Sequence, residues 1–154
     1  EARPAPGAGP AAGAAPGPDP AAAALPEARR WPAAVPPPAK IFVVGSWDGF
    51  RPAAMRWEGG AYVHGVEVGA SGCESFQLRR GRSVAQTIYP SAADASVFDG
   101  RDAWAVRGPD DGGQRKYWKI GKHPQDKATV GDRFAIRVLL DVHGSVAVVH
   151  WARS

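Results

Sequence analysis

Ser71 lies in Gly69-Ala70-Ser71-Gly72-Cys73-Glu74-Ser75, the stretch of this chain closest to a nucleophile motif. A nucleophile elbow needs glycine on both sides of the serine, as Gly-x-Ser-x-Gly, so that the backbone can turn sharply beneath an exposed hydroxyl. Cys73 stands where the second glycine belongs, and the elbow fails. Cys73 is the one cysteine in the chain. With no histidine or lysine beside it in sequence to lower its pKa, it reads as a half-buried structural thiol. His64, His123, His143 and His150 share no i, i+2 or i+4 spacing that would bring two imidazoles onto one metal ion. Asp110 and Asp111 sit between Pro109 and Gly112-Gly113, where short acids form turns. No catalytic residue, metal ligand or cofactor site is expected, and the chain does not read as an enzyme.

Anion binding fares little better. The run Gly108–Lys116 has glycines and a lysine but not the phosphate-loop spacing, and its acids would repel a phosphate. Leu78-Arg79-Arg80-Gly81-Arg82 is a basic cluster, and Lys116-Tyr117-Trp118-Lys119 interleaves aromatics with lysines, the chemistry that holds single strands on a sheet. Acids are scattered through the same region and the net charge is only +4, so nucleic acid is not expected as the partner; the arginines read as a solvated hairpin tip. What remains is an unusual load of aromatics, including six tryptophans. Trp118 and Trp151 fall within strand-like runs and belong to a core. Trp47, Trp57 and Trp104 fall in or beside turns, where packing has less need of them. A flat exposed ring can stack on the apolar face of a sugar or anchor a protein interface.

These residues are carried by an uneven chain. From Glu1 to about Lys40 nearly everything is Ala, Pro or Gly, with almost no large apolar group before Trp31. Such a segment cannot offset its ordering entropy by burial. Residues 1–39 are therefore expected to be a disordered or polyproline-like linker or tail, within which Ala21–Arg30 could form a short helix. Its Ala/Arg content also fits a transit peptide. No apolar run is long enough for a membrane span. A soluble protein is expected, in an intracellular or plastid setting rather than a secreted one.

From Lys40 to Ser154 short apolar runs alternate with turn residues. Strands are expected over 41–44, 61–68, 74–78, 84–90, 116–121, 133–142 and 145–151, the last two forming a hairpin about His143-Gly144. Alternation places Phe134, Ile136, Val138 and Leu140 on one face and Arg133, Arg137 and Asp141 on the other. Trp118 and Ile120 share a face, as do Phe76 and Leu78. Between Ser91 and Thr129 the pattern loosens into long loops around one strand, and loops of that length tend to be functional or to mark an insertion. Strands at this spacing imply an all-β sandwich or barrel.

The opening of this domain, Ile41–Gly81, carries a strand running into Gly45-Ser46-Trp47, then Asp48-Gly49-Phe50, Met55, the strand Tyr62–Val68, and Phe76-Gln77-Leu78. It resembles the starch- and glycogen-binding modules of carbohydrate-binding module families 20 and 48, which include the glycogen-binding domain of the AMP-activated kinase β subunit. The resemblance covers about fifty residues and implies an immunoglobulin-like antiparallel β-sandwich over residues 40–154 that binds α-glucan by aromatic stacking. Carried over by position, the first platform tryptophan of those modules falls on Phe50 and the sugar-contacting lysine on Gln77. The second platform falls near Gln86, which is not aromatic. Trp104, or Trp118, could rebuild it from the 91–129 segment. The resemblance also implies that Trp47 plugs the sandwich while Trp57 covers its edge. The expected carbohydrate contacts are Phe50, Trp57, Gln77 and Trp104. The alternative is a protein-interaction or scaffold module on the same fold, within a larger protein or complex.

Overall fold

The computed structural model describes residues 39–154; the expected linker over residues 1–39 lies, apart from Ala39, outside the described residues. Among the described residues ten strands form two antiparallel sheets: β1 (Phe42–Gly45), β2 (Pro52–Ala54), β3 (Arg56–Glu58), β4 (Ala61–Glu67), β5 (Glu74–Arg79), β6 (Thr87–Pro90), β7 (Val106–Asp110), β8 (Trp118–Ile120), β9 (Arg133–Leu140) and β10 (Val146–Arg153). The larger sheet runs β2-β1-β5-β6-β7, with β8 joined to the other part of β5, and the smaller runs β10-β9-β4-β3. This is a two-layer all-β sandwich, one of the two architectures that the strand spacing allowed. Among the described residues no helix is long and apolar enough to cross a membrane.

The core forms where the inner faces meet, because period-two alternation delivers every second side chain to the same side. Phe76 and Leu78 of β5, Trp118 and Ile120 of β8, and Ile136 and Val138 of β9 are fully buried there. Phe76 is the hub. Its ring stacks on Trp118 at 5.5 Å and meets the edge of Trp151, on the opposite sheet, at 5.7 Å. Trp151 is fixed in turn by a hydrogen bond from its Nε1 to the buried carboxylate of Asp126, at 2.8 Å. A buried acid needs such partners, and its second oxygen accepts from the Gly121 N–H, also at 2.8 Å.

Three departures from the sequence reading have local causes. Residues 84–86 form a 3-10 turn before β6, because the Ser83 hydroxyl accepts from the Ala85 N–H and the Thr87 hydroxyl donates to the Val84 carbonyl. Strands β2 and β3 are too short for alternation to reveal. Strand β7 reads as a turn because it contains Gly108-Pro109, yet it pairs with β6. A strand at a sheet edge tolerates proline, since the side without N–H groups can face outward. The opposite edge, β2, opens on Pro52. The basic cluster is also folded back onto the protein: the Arg80 guanidinium donates to the Gly144 carbonyl, and that of Arg82 lies 5.0 Å over the Phe42 ring.

One end of the smaller sheet is tied by an acid. Asp132 accepts hydrogen bonds from the Thr129 N–H and hydroxyl, both at 2.9 Å, and pairs with Arg153 at 2.6 Å. Arg153 first, and then the Thr129 donors, pull its pKa from 3.8 down to about 2. A carboxylate depressed in the folded state contributes stability that is present above its unfolded pKa and is lost as pH falls through the folded one. Acid denaturation should therefore steepen between about pH 4 and pH 2, and Asp132→Asn should flatten that limb when denaturant midpoints are measured across it. An unchanged acid limb in the variant would show that the cluster does not set it.

Candidate functional site

Phe50 owes its position to a tight turn. The chain leaves β1 at Gly45, makes a 3-10 turn over Ser46–Asp48, and passes through Gly49 and Phe50 with φ of +73° and +63°. The Phe50 N–H returns to the Gly45 carbonyl at 2.8 Å. Positive φ is costly for a residue with a Cβ, and here it swings the ring outward, leaving it 42% exposed. Trp47 goes the other way. It lies partly buried between the layers, stacked on His64 of the smaller sheet at 5.7 Å and tilted against Phe76 of the larger at 6.3 Å. The indole covers Gly45 so closely that a Cβ there would come within 2.2 Å of the ring. Burial pushes the His64 pKa below its ordinary value, which favours the neutral ring beside the indole.

The partner of Phe50 is Tyr117, with ring centroids 5.7 Å apart and planes tilted by 51°. Trp118 is wholly buried, so the preceding residue projects from the other side of the sheet. Tyr117 is held in register by a hydrogen bond from the Ala95 N–H to its carbonyl, at 2.9 Å. Gln77 belongs to the same outer face, since its neighbours Phe76 and Leu78 point inward and it pairs with Val44 of β1.

The segment between β7 and β8 folds down onto this face. The Gln77 amide donates to the carbonyls of Gly113 and Lys116, the latter at 2.8 Å, and is only 7% exposed beneath them. Gly113 is pressed so close to β6 that a Cβ would lie 2.9 Å from the Tyr89 ring. A second fastening is Asp110, which accepts from the Tyr89 hydroxyl at 2.8 Å and from the Gly112 N–H at 2.7 Å. These two donors hold the Asp110 carboxyl below its usual pKa, with the Gly112 N–H the larger cause, and the same bond raises that of Tyr89. The Lys116 ammonium sits 5.9 Å over the Tyr89 ring. Between this segment and the 84–87 turn a shallow pocket of 190 Å³ remains, bordered by Gln77, Arg79, Thr87, Asp111, Gln114 and Tyr117.

Of the four expected contacts, Phe50 and Gln77 share this face. Trp57 lies directly opposite Tyr62 in the smaller sheet, its ring 4.9 Å away and edge-on, and covers the core there. Trp104 packs edge-to-face on Trp118 at 5.9 Å and donates its Nε1 to the Ser96 carbonyl at 2.9 Å. The geometry therefore gives both indoles packing roles away from the exposed ring. Trp118 is core, and Gln86 is exposed in the 3-10 turn. Tyr117 was missed. Its signal was the same alternation that places Trp118 and Ile120 inward. Gln114 and Asp111 carried no signal, because only the fold of the segment brings them to the pocket.

Scans of the chain against protein-family models, curated proteins and solved structures found no match in any of the three. Fold and site by themselves define an antiparallel two-sheet domain with a strained exposed ring, a second ring beside it, and a polar pocket bordered by that second ring.

Proposed function

We propose that this domain is a non-catalytic binding module for α-glucan. The observation that carries the reading is the Phe50–Tyr117 pair, whose Tyr117 ring borders a pocket of hydrogen-bonding side chains. A pyranose ring needs such a combination: an aromatic face for its C–H surface, with amide, carboxylate and guanidinium groups at its rim for the hydroxyls. Support comes also from the resemblance of Ile41–Gly81 to starch-binding modules, whose first platform tryptophan and sugar-contacting lysine correspond to Phe50 and Gln77. Gln77 serves this site by positioning the segment above it. Retention of the 154-residue chain on insoluble starch, with maltoheptaose titrated against tryptophan and tyrosine fluorescence, tests the reading. Saturable retention displaced by millimolar maltoheptaose is expected. An unretained protein with an unchanged spectrum would remove the idea.

A protein-interaction role on the same scaffold is the second reading. It is favoured by Phe98, 40% exposed and in contact with the His123 ring at 5.4 Å, at a separate groove lined in part by Phe134 and Trp151. Phe98→Ser should leave starch retention intact if the first reading holds.

A further inference from the structure

Resting on the glucan reading, we infer that the site takes the end of an α-glucan chain and excludes an internal or cyclic run. The segment from Asp111 to Lys116 is a wall. A chain lying over Phe50 and Tyr117 and continuing across β5 toward β6 would have to pass through the place its backbone occupies. That backbone leaves no room beneath it: Gln77 bonds two of its carbonyls, and a Cβ at Gly113 would lie 2.9 Å from the Tyr89 ring. Nor is the wall loosely attached, because Asp110 ties its start to Tyr89 and the Ala95–Tyr117 hydrogen bond fixes its finish.

The pocket beside the wall has the capacity for about one sugar ring, at 190 Å³. Thr87 and Gln77, both buried, contribute to its lining, while Arg79 and the exposed Asp111 and Gln114 offer donors and acceptors. A terminal glucosyl unit presents a hydroxyl where an internal unit continues into its neighbour. With the wall closing one side, the shallow pocket rewards the former and sterically rejects a chain that continues past it. Gln77 is then a positioning residue for specificity: it holds the wall in place.

Maltoheptaose and β-cyclodextrin contain the same number of α-linked glucosyl units and differ in having ends. Titrated calorimetrically into the 154-residue protein, the linear sugar should bind at least about tenfold more tightly, one decade in Kd. Gln77→Leu keeps the side-chain volume and removes both bonds to the wall, and should narrow that ratio by admitting the cyclic sugar. Gln114→Ala alters only an exposed rim position and should weaken the linear sugar about fivefold, as expected for one lost hydrogen bond. Equal affinity of the unaltered protein for the two sugars would overturn the end-selective pocket and leave the glucan reading standing. Binding of neither would overturn both. Linear-selective binding that Gln114→Ala leaves untouched would place the selectivity elsewhere and end this assignment.

Discussion

Phe76→Ala should lower the unfolding free energy by about 3–5 kcal/mol, the range for emptying a buried aromatic position. The effect belongs at the top of that range because Phe76 touches the aromatic side chains of both layers. Its ring stacks on Trp118 within its own sheet, meets Trp151 across the interface, and abuts Trp47 at the end of the sandwich. The surrounding indoles are themselves fixed, Trp151 by its bond to Asp126, so the cavity cannot easily collapse. In a domain of this size the melting temperature should fall by about 15 °C or more. Phe76→Leu, closer in volume, should cost about 1.5 kcal/mol. Thermal and denaturant unfolding of the two variants give the comparison, and a loss below about 1 kcal/mol for the alanine variant would mean that the layers do not depend on this ring.

The second large effect is on recognition. Under the proposed glucan-binding function, Phe50→Gly should abolish most of the affinity while leaving the fold as stable as before, or more so by about 1 kcal/mol. A ring stacked on a ligand is worth about 1–3 kcal/mol, so the dissociation constant should rise roughly ten- to a hundredfold. The stability change has the opposite sign because φ at Phe50 is +63°, a conformation that glycine adopts freely. Phe50→Ala retains the strain and should lose affinity without the gain. Strain held at an exposed side chain marks a position maintained for something other than folding. If Phe50→Gly destabilised the domain by more than about 1 kcal/mol, the ring would be a packing residue and its outward pose incidental.

These two residues also show how far sequence reasoning reached. Phe76 was legible because β5 and its partners alternate, and alternation reports directly on which side of a sheet is buried. Strand β9 was legible for the same reason. The resemblance marked Phe50 as a platform position, outward or half-buried, but the positive φ that sets its pose has no signature in a phenylalanine. Trp57 and Trp104 were harder. A tryptophan beside a turn is ambiguous until its neighbours are known, and the residues that decide it, Tyr62 and Trp118, include one at long range in sequence. Gln77 illustrates a different limit. Its place on the face was readable, but its two hydrogen-bond partners come from more than thirty residues away, and no local pattern announces a segment that folds back over a sheet. Strand β7 was hidden by Gly108-Pro109, which fits a turn and an edge strand equally well.

Proline at both margins of the larger sheet has a consequence for behaviour in crowded solution. Pro52 in β2 and Pro109 in β7 each remove one N–H from a border where a foreign strand would otherwise dock. Copies of this domain at high local concentration would meet margin to margin, the circumstance that invites fibril growth. Prolines at these rims oppose that docking, so that each molecule stays individually folded in a crowd.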